Sequence, residues 1–337
     1  MSSLGKSTVG QIGEAGILEV INGLVGTDPS PGVAVPAGDD AACVRTEMDL
    51  TVLTVDALVE GTHFRADRVG PDDLGHKSLA SSLSDVAAMG ARPRFALVAL
   101  TMPASTTVDW VQAFYRQMLV LASDFDVRVV GGNLARSSEI NVAVTVVGET
   151  DDGHFLRRSG ANPTDQVFVT GTVGGASAGY TVLERSDAPR EAEQRFVDVF
   201  LRPRPRLKEA WSLVRGGATA MTDVSDGLLR DVRNLVQADG LGATLREELV
   251  PLAPGLPEFA EASGLDLQSL AFGGEDYELV FTAPEDRAAV LTEAVRASTG
   301  TPVARIGHVD DTGEVRVLRS DGSLGVVSDP GYDQFPK

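Results

Sequence analysis

MTDVSDGLLRD, residues 221–231, sets three carboxylates, Asp223, Asp226 and Asp231, within nine positions of a chain that already carries 48 acidic against 29 basic residues. With a formal charge of −19, another acidic cluster ought to repel rather than stabilise, so something must hold it. One reading is local: Asp226 caps the helix GLLRDVRNLVQ, accepting from the free N–H groups of its first turn and complementing the helix dipole. That reading leaves Asp223 without a role.

Working outward, 337 residues with 43% apolar composition are enough for about two domains with real cores. Aromatic residues are few, and Ala, Val, Leu and Gly dominate, which points to α/β layers. Residues 1–150 read as a first domain. A short helix (GEAGILEVING) leads to the strands AACVRT and DLTVLTVDAL, then to a helix over PDDLGHKSLASSLSDVAAMG with apolar residues three and four apart. RFALVALTMP is a strand, TTVDWVQAFYRQMLVLASDFD a helix, VRVVGGN a strand entering a glycine turn, and EINVAVTVVGET a further strand. Residues 151–337 read as a second domain. It opens with a strand, a glycine-rich turn and a helix over DQVFVTGTVGGASAGYTVLER, followed by a helix over about 190–215 and then the acidic segment. GATLREEL, YELVFTAP, ARIGHV and EVRVLR are its later strands, with RAAVLTEAVRAS a helix between them.

Composition also excludes. Cys43 is the single cysteine, so there is no disulfide framework and no cysteine-rich metal site. No basic stripe marks a nucleic-acid binder; RPRPR at 202–206 is the densest basic stretch and is short. No leader-like start and no run of ~20 apolar residues appear, so the expectation is a soluble cytoplasmic protein with no membrane partner. The four histidines, His63, His76, His154 and His308, show no zinc spacing. GxxxxGK[ST], GxGxxG after a strand, HRD and DFG are all missing. GTVGGASAG could offer helix amides to a phosphate, although close packing of a small-residue helix is the stronger reading.

Carboxylates recur elsewhere. Asp39 and Asp40 precede a strand in PAGDDAACV, Asp56 ends one in LTVDALVEGTHF, and Asp85 lies inside an apolar helix in SSLSDVAAMG. Glu275, Asp276 and Glu278 stand at the mouth of a strand in GGEDYELVF. GDD is also ordinary turn chemistry, but a lone charge buried at Asp85 would be costly. Magnesium explains several of these together. It takes oxygen ligands, keeps part of its water, and joins one or two carboxylates to substrate phosphates. On this view cations, not protein bases, hold Asp223 and Asp226.

GDDAA, TVDALVEGTHF, KSLASSLSDVAAMGARP, VVGGN, RRSGA, FLRPRPRL, TDVSDGLLRD, GGEDYEL and GYDQF follow one another over about residues 10–335. In that order they resemble the thiamine-monophosphate kinase family, of the ATP-binding superfamily that includes aminoimidazole ribonucleotide synthetase. The resemblance implies a two-domain α/β architecture of that type, dimers formed through the N-terminal domains, and ATP bound without a P-loop. It implies ATP and thiamine monophosphate as substrates, ADP and thiamine diphosphate as products, and several Mg²⁺ ions. Carried over by position, Asp40, Thr54, Asp56, Asp85, Asn133, Asp223 and Asp226 are the metal residues. Tyr115, Gly132, Asn133, Arg158 and Ser225 are the ATP residues, and His63, Glu275 and Tyr332 the substrate contacts. Another enzyme of the same superfamily, or a nucleotide binder with reduced catalysis, is the alternative.

The resemblance breaks at one position. The family reads GGDT or similar where this chain reads GGNL, so Asn133 replaces an acidic ligand and Leu134 a hydroxyl residue. Asn keeps a carbonyl oxygen but loses the charge that a hard cation prefers. An active enzyme with a raised Mg²⁺ requirement is the expectation.

Overall fold

A computed structural model describes residues 6–26, 33–35, 43–44, 50–185 and 187–326. The chain divides into two compact units, Met1–Val86 with Arg92–Gly153, and Ala87–Ala91 with His154–Lys337.

The first unit contains α1 (Val9–Val25), β1 (Val33–Val35), β2 (Cys43–Val44), β3 (Thr51–Val59), α2 (Pro71–Ala88), β4 (Arg92–Met102), α3 (Val108–Asp124), β5 (Arg128–Arg136) and β6 (Asn141–Glu149). Four strands form a sheet in the order β3-β6-β4-β5, with β4 and β5 parallel and the other pairs antiparallel. Alternation assigns its two faces. Val142, Val144 and Val146 are buried on one, where the Ser82 hydroxyl of α2 donates to the Val144 carbonyl at 2.9 Å. On the other, Leu53 is 69% and Val55 63% exposed. α3 begins at Thr107, whose hydroxyl accepts from the Trp110 amide, and it buries Val108, Val111, Phe114, Met118 and Leu121 at helical spacing.

Two expectations fail here. VRVVGGN does not turn at its glycines, because β5 runs straight through them. A Cβ on Gly132 would lie 1.9 Å from the Val98 carbonyl oxygen, so this glycine permits close approach of β4 rather than a reversal. Asp56 does not end a strand either. It stands in the middle of β3, opposite Val144.

The second unit contains β7 (Gln166–Thr170), α4 (Gly175–Glu184), α5 (Glu191–Leu201), α6 (Leu207–Gly216), β8 (Ala220–Asp223), α7 (Leu228–Gln237), β9 (Gly242–Arg246), α8 (Leu256–Ser263), α9 (Leu267–Ala271), β10 (Leu279–Ala283), α10 (Ala288–Thr299), β11 (Val303–Asp310), β12 (Val315–Leu318) and β13 (Leu324–Val326). The strands form one sheet in the order β13-β12-β9-β11-β7-β10-β8. β7, β8 and β10 are buried at every position, which is why QVFVT, AMTD and LVFTA read as continuous rather than alternating strands. Val167, Val169 and Val280 of these strands share a core with Leu228, Val232 and Leu235 of α7, while Phe168 and Phe281 stack with ring centroids 5.1 Å apart. The single helix expected over 190–215 is two helices, α5 and α6. Pro203 and Pro205 interrupt it, since proline lacks the amide a helix interior needs. The Pro-rich stretch after β9 also carries α8 and α9, which its composition did not suggest.

Candidate active site

β8 delivers Asp223 as its last residue, opposite Leu279 at the start of β10. The chain then turns through residues 224–227 into α7. Gly227 has φ of 120°, and a Cβ there would meet the Phe272 carbonyl oxygen at 2.4 Å, so the turn requires glycine. Asp226 does not cap the helix; Gly227 is the N-cap position and carries no side-chain cap. The cap comes from inside. Oδ2 of Asp231 accepts from the amides of Ser225, Asp226 and Gly227, each at 3.1 Å. This side chain is 2% exposed. Burial first, and then the charges of Asp223 and Asp226, push its pKa up to about 8. Asp223 is also buried, and the Ser225 hydroxyl lies 3.4 Å from its Oδ1. Asp226 is half-exposed and is not without a protein base, since Arg230 Nε stands 3.5 Å from its carboxylate.

A second loop, 273–278, runs alongside the first. Glu275 N–H donates to the Ser225 carbonyl at 2.8 Å, Tyr277 N–H to the Val224 carbonyl at 2.9 Å, and Val224 N–H to the Glu278 carbonyl at 2.7 Å. Glu275 and Tyr277 both take positive φ, 69° and 51°. Non-glycine residues hold that conformation only where surrounding structure enforces it, and such residues cluster at functional sites. The residues between and after them turn inward. Asp276 accepts the amides of Gly174 at 2.7 Å and Ala176 at 3.0 Å, and burial pushes it up to about 7. Glu278 accepts Nε and Nη2 of Arg206 at 2.7 and 2.5 Å and the Thr170 hydroxyl at 2.6 Å. Arg206 is the last arginine of RPRPR, and its Nη1 also lies 3.7 Å from Glu209.

Asp276 also answers the question posed by GTVGGASAG. Amides at the start of α4 are taken by a protein carboxylate, and a Cβ on Gly179 would lie 2.1 Å from the Phe196 carbonyl oxygen. Close packing explains the small residues.

A third segment lies beside β8. Met221 N–H donates to the Arg157 carbonyl at 2.9 Å, and the amides of Gly160 and Ala161 donate to Asp239 Oδ2 at 2.7 and 3.0 Å. Arg158 is exposed on this segment. The second unit thus brings Asp223, Ser225, Asp226 and Glu275 together on two cross-bonded loops, with Arg158 next to the strand that carries them.

In the first unit, Thr54 Oγ1 donates to Asp85 Oδ2 at 2.6 Å, linking β3 to α2. Asp56 is two positions further along β3 and so shares the face of Thr54. His63 follows in the turn after β3, where its Nδ1 accepts the Val59 amide at 3.0 Å, leaving the ring proton on Nε2. Gly132 and Asn133 are on β5, at the other edge of the sheet. Asn133 is opposite Ala99 and so belongs to the face that carries Leu53 and Val55. Three interstrand steps, about 14 Å, separate β5 from β3. Within one chain, Asn133 does not join Thr54, Asp56 and Asp85. Tyr115 is 3% exposed in the packed face of α3, edge-on to Phe114, and burial raises its hydroxyl pKa. Asp40 and Tyr332 lie outside the described residues.

The donors in both units are carboxylate and hydroxyl oxygens, the chemistry Mg²⁺ takes. Among the described residues no three His, Cys, Asp or Glu converge into a closed metal cage. Sequence reasoning listed Asp231 among the acids without giving it a role. The available signal was its place on the apolar stripe of α7, with Leu228, Val232 and Leu235, where an acid must find partners.

Comparison with known proteins matches residues 38–150 to the N-terminal domain and residues 162–319 to the C-terminal domain of AIR synthase related proteins. A thiamine-monophosphate kinase of Salmonella typhimurium is 35% identical over 301 residues, covering 88% of this chain and 91% of its own. The crystal structure of thiamine-monophosphate kinase from Stenotrophomonas maltophilia is similar with a TM-score of 0.79 at 33% identity, over 87% of this chain and 92% of that one. AaThiL complexed with AMPPCP and TMP gives 0.75 at 31% identity, over 96% and 98%.

Proposed function

The chain belongs to the thiamine-monophosphate kinase family, and from that premise we infer that it transfers the γ-phosphoryl group of ATP to thiamine monophosphate, yielding ADP and thiamine diphosphate. AaThiL, its relative, is complexed with AMPPCP, a non-hydrolysable ATP analogue, and with TMP. The observation that carries the reading is the pair of cross-bonded loops that sets Asp223, Ser225, Asp226 and Glu275 side by side.

Phosphoryl transfer asks for positioning and charge neutralisation more than for covalent chemistry by the protein. The acceptor is a phosphate oxygen already ionised near neutral pH, because the second pKa of a phosphomonoester is about 6. No dedicated base is needed. One Pγ–O bond, to the acceptor oxygen, forms as the bond to the ADP oxygen breaks, in line. Mg²⁺, when bound, neutralises phosphate charge and lets two anions approach. We assign its ligands to Asp223 and Asp226 in the second unit, and to Thr54, Asp56 and Asp85 in the first. Arg158 is suited to grip a phosphate bidentately. Ser225 and Gly132 are assigned to the nucleotide, and Glu275 to the cationic ring of thiamine, with His63 Nε2–H offered to the same substrate.

We propose a homodimer built on the part of the first unit's sheet face where Leu53 and Val55 stand exposed. No described helix is long and apolar enough to cross a membrane, and a cytoplasmic location is the companion proposal. The test is direct. Purified protein is incubated with Mg-ATP and thiamine monophosphate across a magnesium titration, and ADP and thiamine diphosphate are quantified by chromatography. Equal formation of both products is expected. Their absence at saturating magnesium, in the natural chain and in Asn133→Asp alike, would overturn the reading.

A further inference from the structure

We propose that Asp231 is a positioning residue for the cation loop: its carboxylate gathers three consecutive amides and so aims Asp223 and Asp226, without itself ligating. The proposal deepens the reading above and rests on it for the identity of the ligands.

Three facts converge. First, Asp231 presents a single oxygen, Oδ2, to the amides of Ser225, Asp226 and Gly227, all at 3.1 Å. Amides that converge on one oxygen fix the backbone of the whole turn, because moving any one of them breaks its bond. Second, those amides flank the assigned ligand Asp226 on both sides, include its own amide, and begin two residues after the other ligand, Asp223. Third, Asp231 is among the most buried carboxylates of the chain and sits on the core-facing stripe of α7, between Leu228, Val232 and Leu235. A carboxylate in that position faces the back of the loop. Its sequence neighbours Asp223 and Asp226 look alike in composition, but it is Asp231 whose single oxygen takes three main-chain amides.

The same geometry explains the glycine. Gly227 supplies one of the three amides at φ of 120°, and a Cβ on it would meet the backbone of 272–273 at close range. Loop 273–278 then bonds to the outer side of 224–225. The turn is held from two sides, by backbone on one and by one carboxylate on the other.

The test uses the intact chain and Mn²⁺, followed by electron paramagnetic resonance without nucleotide. The component of Mn²⁺ uptake that disappears in Asp223→Asn defines the loop's own cation. Asp231→Asn retains an oxygen for the amides, so that component should weaken by less than tenfold. Asp231→Ala loses the acceptor, so it should weaken by tenfold or more, and amides 225–227 should exchange hydrogen at least tenfold faster at a temperature where the variant is folded. A tenfold or greater loss in Asp231→Asn would make Asp231 a ligand and overturn the proposal. So would unchanged uptake and exchange in Asp231→Ala, or the lack of any component dependent on Asp223. If Asp231→Ala does not fold, Asp231→Asn alone decides. Thiamine monophosphate turnover is measured separately: if it fails while the Mn²⁺ pattern holds, the kinase reading falls and the positioning role stands.

Discussion

In the second unit, each residue assigned to substrate or cation stands on backbone that is anchored from behind. Asp223 and Asp226 bracket a turn held by Asp231, and Glu275 stands on a loop held by Asp276 and by the Arg206–Glu278 pair. The first unit is built differently. Its Thr54–Asp85 bond joins β3 to α2 directly, Asp56 takes only the amide of its own neighbour among the bonds described, and Asn133 lies three strands away on the other face. The difference teaches where preorganisation resides. One set is held by the interior of its own unit, whereas the other rests on a single side-chain bond and leaves Asn133 on the opposite face of the sheet.

The sharpest way to break this comparison is to cut an anchor. Arg206→Met leaves the buried Glu278 carboxylate without its guanidinium. Glu278 is only 4% exposed, so the loss should be about 3–5 kcal/mol by denaturant unfolding, typical of a buried pair deprived of one partner. A loss below 1 kcal/mol would mean that the second loop stands without its anchor. Next in size is a ligand itself. Asp223→Ala should lower thiamine diphosphate formation by about a hundredfold at fixed Mg²⁺, comparable to removing one preorganised electrostatic group from an active site. Asp85→Ala should cost less if the first set is the looser one, and equal losses would erase the distinction.

A smaller effect probes the departure in β5. Asn133→Asp should lower the magnesium midpoint of turnover by up to about tenfold, the effect of one added charged oxygen on a hard cation. An unchanged midpoint would remove Asn133 from the metal's surroundings.

Much of this frame was legible in the sequence, and the reasons for the rest are physical. Periodicity revealed α2, α3 and β6 because burial writes itself into spacing. Glycines misled in VRVVGGN, where the same residue type that permits a turn also permits two strands to approach closely. RPRPR read only as the densest basic stretch, and its last arginine is spent on a buried ion pair with Glu278. Motif order brought Asp223, Ser225, Asp226 and Glu275 into one list, but nothing local revealed that Ser225 and Glu275 share a hydrogen bond across 50 residues of chain. Asp231, Asp276 and Glu278 were invisible as organisers because their partners are main-chain amides and distant side chains, which composition does not encode.

The smallest effect concerns what keeps the second loop's anchor charged or neutral. Asp276 has both oxygens on amides, which favour the ionised form, but it is fully buried, which favours the neutral one, and the balance stands at about 7 against an ordinary 3.8. The sign follows. Between about pH 4 and pH 7 the unfolded chain has released this proton and the folded chain has kept it, so stability is full below pH 4 and declines as pH rises through 7. Asp276→Asn cannot titrate. The melting temperature of the natural chain should therefore fall relative to that of Asp276→Asn as pH rises from 4 to 7, which scanning calorimetry on both proteins would resolve. A difference that stays flat would mean the two amides of α4 overcome burial and keep Asp276 ionised. The anchor of this loop would then be a charge held by a helix start.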